Sequence, residues 1–185
     1  MNQSDDPRRQ RRQFLRTTSL VGLACLPVWA TTANAAQAPR GLAMRHLHTQ
    51  ERIDLVYASG SQHDPLALTQ FNSFLRDHYT GDVGSIDPTL LDLLHEVRLV
   101  LGNPNPFEII SGYRSPTTNQ RLRQKGAGGV ARKSLHMEGR AIDVRLPGTA
   151  LDALRDVALS QQAGGVGFYP KDGFVHLDTG RVRNW

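Results

Sequence analysis

The stretch Ser134-Leu135-His136-Met137-Glu138-Gly139-Arg140-Ala141-Ile142-Asp143 decides how the chain reads. His136 and Asp143 lie seven positions apart, a spacing that can place two side chains on one helix face. Gly139 interrupts such a helix, and the run that follows is strand-like. The segment therefore reads as a loop entering a strand, with His136 on the loop and Asp143 on the strand, both aimed into one cleft. A second stretch, Gly173-Phe174-Val175-His176-Leu177-Asp178, alternates in polarity. That puts His176 and Asp178 on one face of a strand and Val175 and Leu177 on the other. Two imidazoles and one carboxylate fit a catalytic zinc set, in which three protein ligands leave a fourth position for water. A lone histidine near a strand end is also a common structural or surface residue, so spacing by itself leaves both readings open.

Outward from these segments, Ala141 to Arg145, Gly165 to Tyr169 and Phe174 to Asp178 read as strands, the last two joined by a Pro-Lys-Asp-Gly turn. Thr149 to Gln161 and Pro116 to Arg123 read as helices. Gln124 to Lys133 is glycine-rich and basic and reads as a mobile loop. Phe107 to Ile110 is a buried strand leading into Ser111-Gly112-Tyr113-Arg114-Ser115. Asp87-Pro88 opens a helix with Leu90, Leu91, Leu94, Val97 and Leu101 at helical spacing, stopped by Gly102-Asn103-Pro104. Asp64-Pro65 opens another, with Leu66, Phe71, Phe74 and Leu75 as its apolar positions. Leu42 to His48 and Arg52 to Ala58 suggest a hairpin turning near Gln50-Glu51. Helices come early and strands cluster late, which predicts an α+β fold with a small central antiparallel sheet flanked by helices.

The first 35 residues read as an address. Gln10-Arg11-Arg12-Gln13-Phe14-Leu15-Arg16 has the pattern of a twin-arginine export signal. A moderately apolar run from Leu20 to Ala30 and the small-x-small site Ala33-Asn34-Ala35 follow it. The run is too short to remain as a membrane span. A basic tail with a chance arginine pair, or a lipoprotein signal at Gly22-Leu23-Ala24-Cys25, are the competing readings. Residues 36–41 then form a linker and 42–185 the working domain.

Of the formal net charge of +5, the leader's five arginines and two aspartates supply a surplus of three. The remainder is only mildly basic and has no basic stripe with interleaved aromatics, which argues against nucleic acid and suits an anionic wall polymer. The single cysteine, Cys25, lies in the leader, so the domain has no disulfide, no cysteine metal ligand and no cysteine nucleophile. At 39% hydrophobic and 21% charged residues the composition is that of a globular domain, one large enough to fold without staples.

The motif Ser-x-His-x-x-Gly-x-Ala-x-Asp, with a later histidine on a strand, resembles the peptidase M15 family of zinc D-Ala-D-Ala carboxypeptidases and related peptidoglycan endopeptidases. The segment Gly164 to Pro170, its continuation Phe174 to Gly180 and the closing Arg183-x-Trp185 resemble the YcbK-like branch of that family. The likeness runs from Leu42 to Trp185 and implies a hedgehog/DD-peptidase-like fold. It implies Zn2+ held by His136, Asp143 and His176, and a periplasmic enzyme cutting peptide stems or cross-links, with the cross-link endopeptidase favoured. It implies that Arg114, with Tyr113 beside it, binds substrate and stabilises charge on the scissile carbonyl. Guanidinium donors suit a carboxylate or an oxyanion. A surface arginine in a salt bridge is the plainer reading of Arg114. Ser134 either binds substrate or caps a turn.

One position departs from the pattern. Many members carry a Glu or Asp three residues before the last ligand, as general base; here it is Gly173, with Asp172 next to it. Asp178 shares the face of His176 and is expected to act either as base or as a partner that hydrogen-bonds the ligand imidazole. Glu138 reads as an exposed loop charge. An inactive zinc-containing peptidoglycan-binding module and a structural zinc domain with a protein partner are the alternative classes.

Overall fold

In the computed structural model, residues 38–126 and 130–185 are described. The export signal expected over 1–35, residues 36 and 37 of the linker, and positions 127–129 of the glycine-rich loop lie outside the described residues.

Strand β1 (Arg40–His46) pairs antiparallel with β2 (Arg52–Ser59), and a two-residue β3 (Gln62–His63) follows. Arg40 and Gly41 belong to β1, and the Arg40 guanidinium donates to Asp92 at 2.6 Å. Helices α1 (Pro65–Phe74) and α2 (Pro88–Leu101) both start with proline behind an aspartate. Asp64 and Asp87 each accept a hydrogen bond from the N–H two residues on, which satisfies an otherwise orphaned donor. Helix α2 stops where Gly102 turns left-handed, at a φ of 60°.

In α1 the buried positions are Ala67, Phe71 and Phe74, while Leu66 is 75% exposed. The inward face is set by the helical period from Ala67, so Leu66 in the first turn points away from it, contrary to its expected core place.

The rest of the chain is β4 (Phe107–Ser111), α3 (Pro116–Gln124), one 3₁₀ turn (Leu135–Glu138), β5 (Ala141–Arg145), α4 (Leu151–Ser160), β6 (Gly165–Tyr169), β7 (Phe174–Asp178) and β8 (Arg183–Asn184). All eight strands form one sheet in the order β3-β2-β1-β4-β5-β7-β6-β8. The fold is α+β, and its sheet is larger than expected and mixed, since β1–β4 and β6–β8 pair in parallel. The β1–β4 pairing follows from the path through α1 and α2 between them, a crossover that returns the chain in the same direction. The short β3 and β8 carry too few residues to show alternation.

Ile142 and Val144 of β5 and Val175 and Leu177 of β7 join the buried core with α1, α2 and α4 residues. Their neighbours Asp143, His176 and Asp178 project from the opposite face of the sheet. No helix among the described residues is long and apolar enough to cross a membrane.

A cluster of histidines sits at the end of β1. His46 is fully buried, and the rings of His48 and His78 stack at 4.1 Å. Burial, followed by the charges His78 and His48 would carry, pushes the His46 imidazole down to about 4. Burial and His48 push His78 down to about 4 as well. The unfolded chain takes up these protons near pH 6.5 while the folded chain refuses them. Their contribution to stability is therefore full above about pH 6.5 and is lost as pH falls toward about 4. His176 has a raised pKa and contributes with the opposite sign. A double variant, His46→Asn with His78→Asn, isolates the cluster. Its melting temperature is expected to fall less between about pH 7 and pH 4 than that of the wild type. Parallel curves would remove the cluster from the account.

Candidate metal centre

A different local device places each of the three expected ligands. His136 lies in the 3₁₀ turn, which Gly139 closes in a left-handed conformation with a φ of 66°. A Cβ at Gly139 would run into the Ser85 carbonyl oxygen, so both conformation and space demand glycine at this point of the motif. The Gly139 carbonyl accepts from Asp87 N–H at 3.0 Å, and the His136 carbonyl from Arg114 N–H at 3.1 Å. Asp143 and His176 face each other directly across the β5–β7 ladder. Cross-strand register therefore brings them together.

His136 Nε2 and His176 Nδ1 are 3.3 Å apart, and Asp143 Oδ1 lies 3.3 Å from the first and 2.8 Å from the second. One donor atom from each residue thus lies within 4.8 Å of the others. The remaining nitrogens are also committed. His136 Nδ1 is 2.7 Å from the Gly112 carbonyl oxygen, and His176 Nε2 is 3.1 Å from Asp178 Oδ2. Oxygen acceptors behind both rings fix which nitrogen faces the cleft, as is usual for metal-binding histidines. The donors present fit a divalent cation, and N/O sets of this kind accept more than one metal.

The electrostatics favour a charged carboxylate here. Burial alone would push Asp143 up, but the imidazoles of His136 and His176 hold it well below the ordinary carboxylate range. Burial would lower His176, and its bonds to Asp143 and Asp178 raise it instead. On the far side, Arg114 Nη2 lies 3.6 Å from Asp143 Oδ2, with 12% of the arginine side chain exposed. The carboxylate thus bridges the imidazole pair and a nearly buried cation.

These groups open into a cleft of about 250 Å³, which Ser134, Lys133, Tyr169, Asp172 and Trp185 also line. Ser134 occupies the cap position of the 3₁₀ turn, yet its hydroxyl makes no capping bond there. Tyr113 is not brought into this cleft. Its ring packs onto Gly84 and lines a neighbouring pocket of about 150 Å³ instead. Glu138 is exposed beside Arg140. Gly173, at a φ of 74°, closes the β6–β7 hairpin by donating to the Tyr169 carbonyl at 2.9 Å. A side chain at that position would be strained, which accounts for the missing carboxylate.

Asp178 is fully buried behind His176, away from the face that meets Asp143. It accepts from the N–H groups of Gly165 and Gly180 at 3.0 and 2.8 Å and from the Arg183 guanidinium at 3.1 and 2.7 Å. Burial would raise its pKa, and the bonds from His176 and Arg183 together with the two backbone donors hold it well below the usual carboxylate range. Sequence reasoning missed the Gly112 carbonyl, Arg183, Tyr169 and Trp185. Only the closing Arg-x-Trp hinted at two of them.

The chain is a peptidase of the M15 class, matched by a family model over all of the described residues. Within that class, the chain belongs to the family described as peptidoglycan L,D-endopeptidase MepK, whose profile matches residues 34–185. It is 42% identical over 176 residues to peptidoglycan L,D-endopeptidase MepK of Escherichia coli K12, covering 95% of this chain and 96% of the relative. It is 36% identical over 166 residues to the probable peptidoglycan L,D-endopeptidase MepK of Haemophilus influenzae, covering 89% of each. The crystal structure of Serratia marcescens L-Ala D-Glu endopeptidase ChiX overlaps 52% of this chain and 68% of its own, with 16% identity and a TM-score of 0.34. That likeness is partial, and the functional reading does not depend on it.

Proposed function

We propose that the chain is an exported zinc peptidase that hydrolyses peptide bonds in peptidoglycan, as an endopeptidase acting on cross-links. The observation that carries the reading is the convergence of His136, Asp143 and His176, with the second nitrogen of each imidazole already bonded to an oxygen. The activity printed in the relatives' names supports the substrate class. Export by the twin-arginine route to the periplasm rests on the leader's sequence.

In this reading His136, Asp143 and His176 hold the metal. A bound zinc supplies Lewis-acid polarisation of the scissile carbonyl and lowers the pKa of water. The remaining work falls to the chain's own side chains. Asp178 fixes the orientation of the His176 ring. Arg114 balances the Asp143 charge and presents a cation to a substrate carboxylate or to the carbonyl oxygen as charge develops on it. Ser134 offers its hydroxyl to the substrate from the cleft wall. Proton transfer falls to the carboxylate of Asp172, which no side-chain hydrogen bond occupies among the described residues.

The decisive experiment incubates the purified protein with sacculi, with and without a chelator, and identifies the released muropeptides by mass spectrometry. Cross-linked dimers are expected to give way to monomers, and the chelator is expected to stop the conversion until zinc is restored. Retention on sacculi with no new fragments would instead mark an inactive binding module.

A further inference from the structure

Trp185 is a large aromatic residue beside the metal centre, 48% exposed and yet held from several directions. Its carbonyl accepts from Phe168 N–H at 3.0 Å, and its own N–H donates to the Val166 carbonyl at 3.3 Å. Its indole Nε1–H donates to the Tyr169 hydroxyl at 2.7 Å. The Arg183 guanidinium lies 4.8 Å from the ring centre. The ring also rests on Gly167, where an added Cβ would come within 2.7 Å of Cε2 and 2.8 Å of Cζ2. The indole lies beside the His176 ring, tilted against it at 5.3 Å between centres.

These contacts fix the ring and still leave about half of it in water. An aromatic side chain that has already lost its rotamer freedom, with apolar surface still exposed, is how proteins build recognition anchors. The glycine at 167 and the tyrosine hydroxyl at 169 are what hold this one at the cleft wall.

We propose that Trp185 is a specificity-determining residue, an apolar wall against which an aliphatic segment of the substrate peptide packs beside the metal centre. The inference rests on the peptidase reading for its substrate. It concerns binding, however, and has a readout besides turnover.

Trp29 and Trp185 are the two tryptophans of the chain, so a Trp29→Phe background leaves Trp185 as the lone indole reporter. Titrating this zinc-loaded chain with a purified cross-linked muropeptide dimer is expected to give a saturable change in tryptophan emission. In steady-state hydrolysis of the same dimer, Trp185→Ala is expected to raise KM about tenfold while kcat and zinc content hold, and Trp185→Phe is expected to recover most of the loss. Gly167→Ala, which evicts the ring but keeps the residue, is expected to raise KM in the same way.

Unchanged KM in Trp185→Ala, or an emission that ignores the dimer while hydrolysis proceeds, overturns the proposal. Loss of zinc together with activity in that variant would also overturn it, because the ring would then merely support His176. Saturable emission without hydrolysis would leave the wall standing and sink the peptidase reading instead.

Discussion

Asp143→Asn is expected to leave a folded protein that binds zinc poorly and releases no muropeptides. Asparagine matches aspartate in shape and retains an oxygen toward the imidazoles, so the β5–β7 register survives. What disappears is the negative charge. Asp143 Oδ1 lies 3.3 Å from His136 Nε2 and 2.8 Å from His176 Nδ1, where it is the one anionic donor of the set. Oδ2 faces Arg114 at 3.6 Å, so the substitution also leaves a nearly buried guanidinium without its counter-charge. Two neutral imidazoles and an amide beside an uncompensated cation make a poor site for a divalent ion. The loss of zinc affinity is expected to exceed the roughly 10- to 100-fold typical of removing a residue behind a ligand. Asp143→Ala goes further, because breaking a buried pair costs about 3–5 kcal/mol and lowers the melting temperature as well. Elemental analysis after dialysis, run beside the sacculus digest, checks both variants. Full zinc content and normal digestion in Asp143→Asn would rule out the carboxylate as a ligand.

The facing of the three candidate ligands was legible because each rides on a local regularity, whereas spacing alone left a metal-binding role open and only the resemblance joined them into one set. Period-two alternation put His176 opposite in facing to Val175 and Leu177, and Gly139 marked the break between loop and strand. The helix starts were equally local, since Asp64-Pro65 and Asp87-Pro88 each combine a cap with a preset backbone angle. What stayed hidden depends on partners distant in sequence. Nothing local to Gly112 shows that its carbonyl backs His136, since every residue has such an oxygen. Arg183 reaches Asp178 from a two-residue strand whose place beside β6 is a tertiary fact. Tyr113 adjoins Arg114 in sequence, yet its ring turns onto Gly84 and into the neighbouring pocket. The parallel β1–β4 pairing was invisible for the same reason: alternation sets which face a residue takes, not which strand lies alongside.

Asp178→Ala separates positioning from proton transfer, and its expected effect on stability is as large as that of Asp143→Ala. The carboxylate is fully buried and collects the Gly165 and Gly180 N–H groups, both terminal nitrogens of Arg183, and His176 Nε2. Alanine strands all of these donors at once. Leaving buried partners of a charge unpaired costs about 3–5 kcal/mol, which for a domain of this size lowers the melting temperature by many degrees. Freed from Asp178, the His176 ring loses the bond that aims Nδ1 into the cleft. Zinc affinity is then expected to fall about 10- to 100-fold. Asp178→Asn keeps the shape and part of the bonding, and it gives the cleaner kinetic test. With zinc in excess its kcat is expected to return to near the wild-type value, because a residue that only orients a ligand is dispensable once the metal is in place. Asp172→Asn under the same conditions is expected to lower kcat by about 10²-fold or more with zinc content unchanged, since it removes the proton carrier and no ligand contact. A persistent kcat loss in Asp178→Asn at saturating zinc, paired with normal turnover in Asp172→Asn, would exchange the two roles. The buried carboxylate would then move the proton in spite of its five hydrogen bonds.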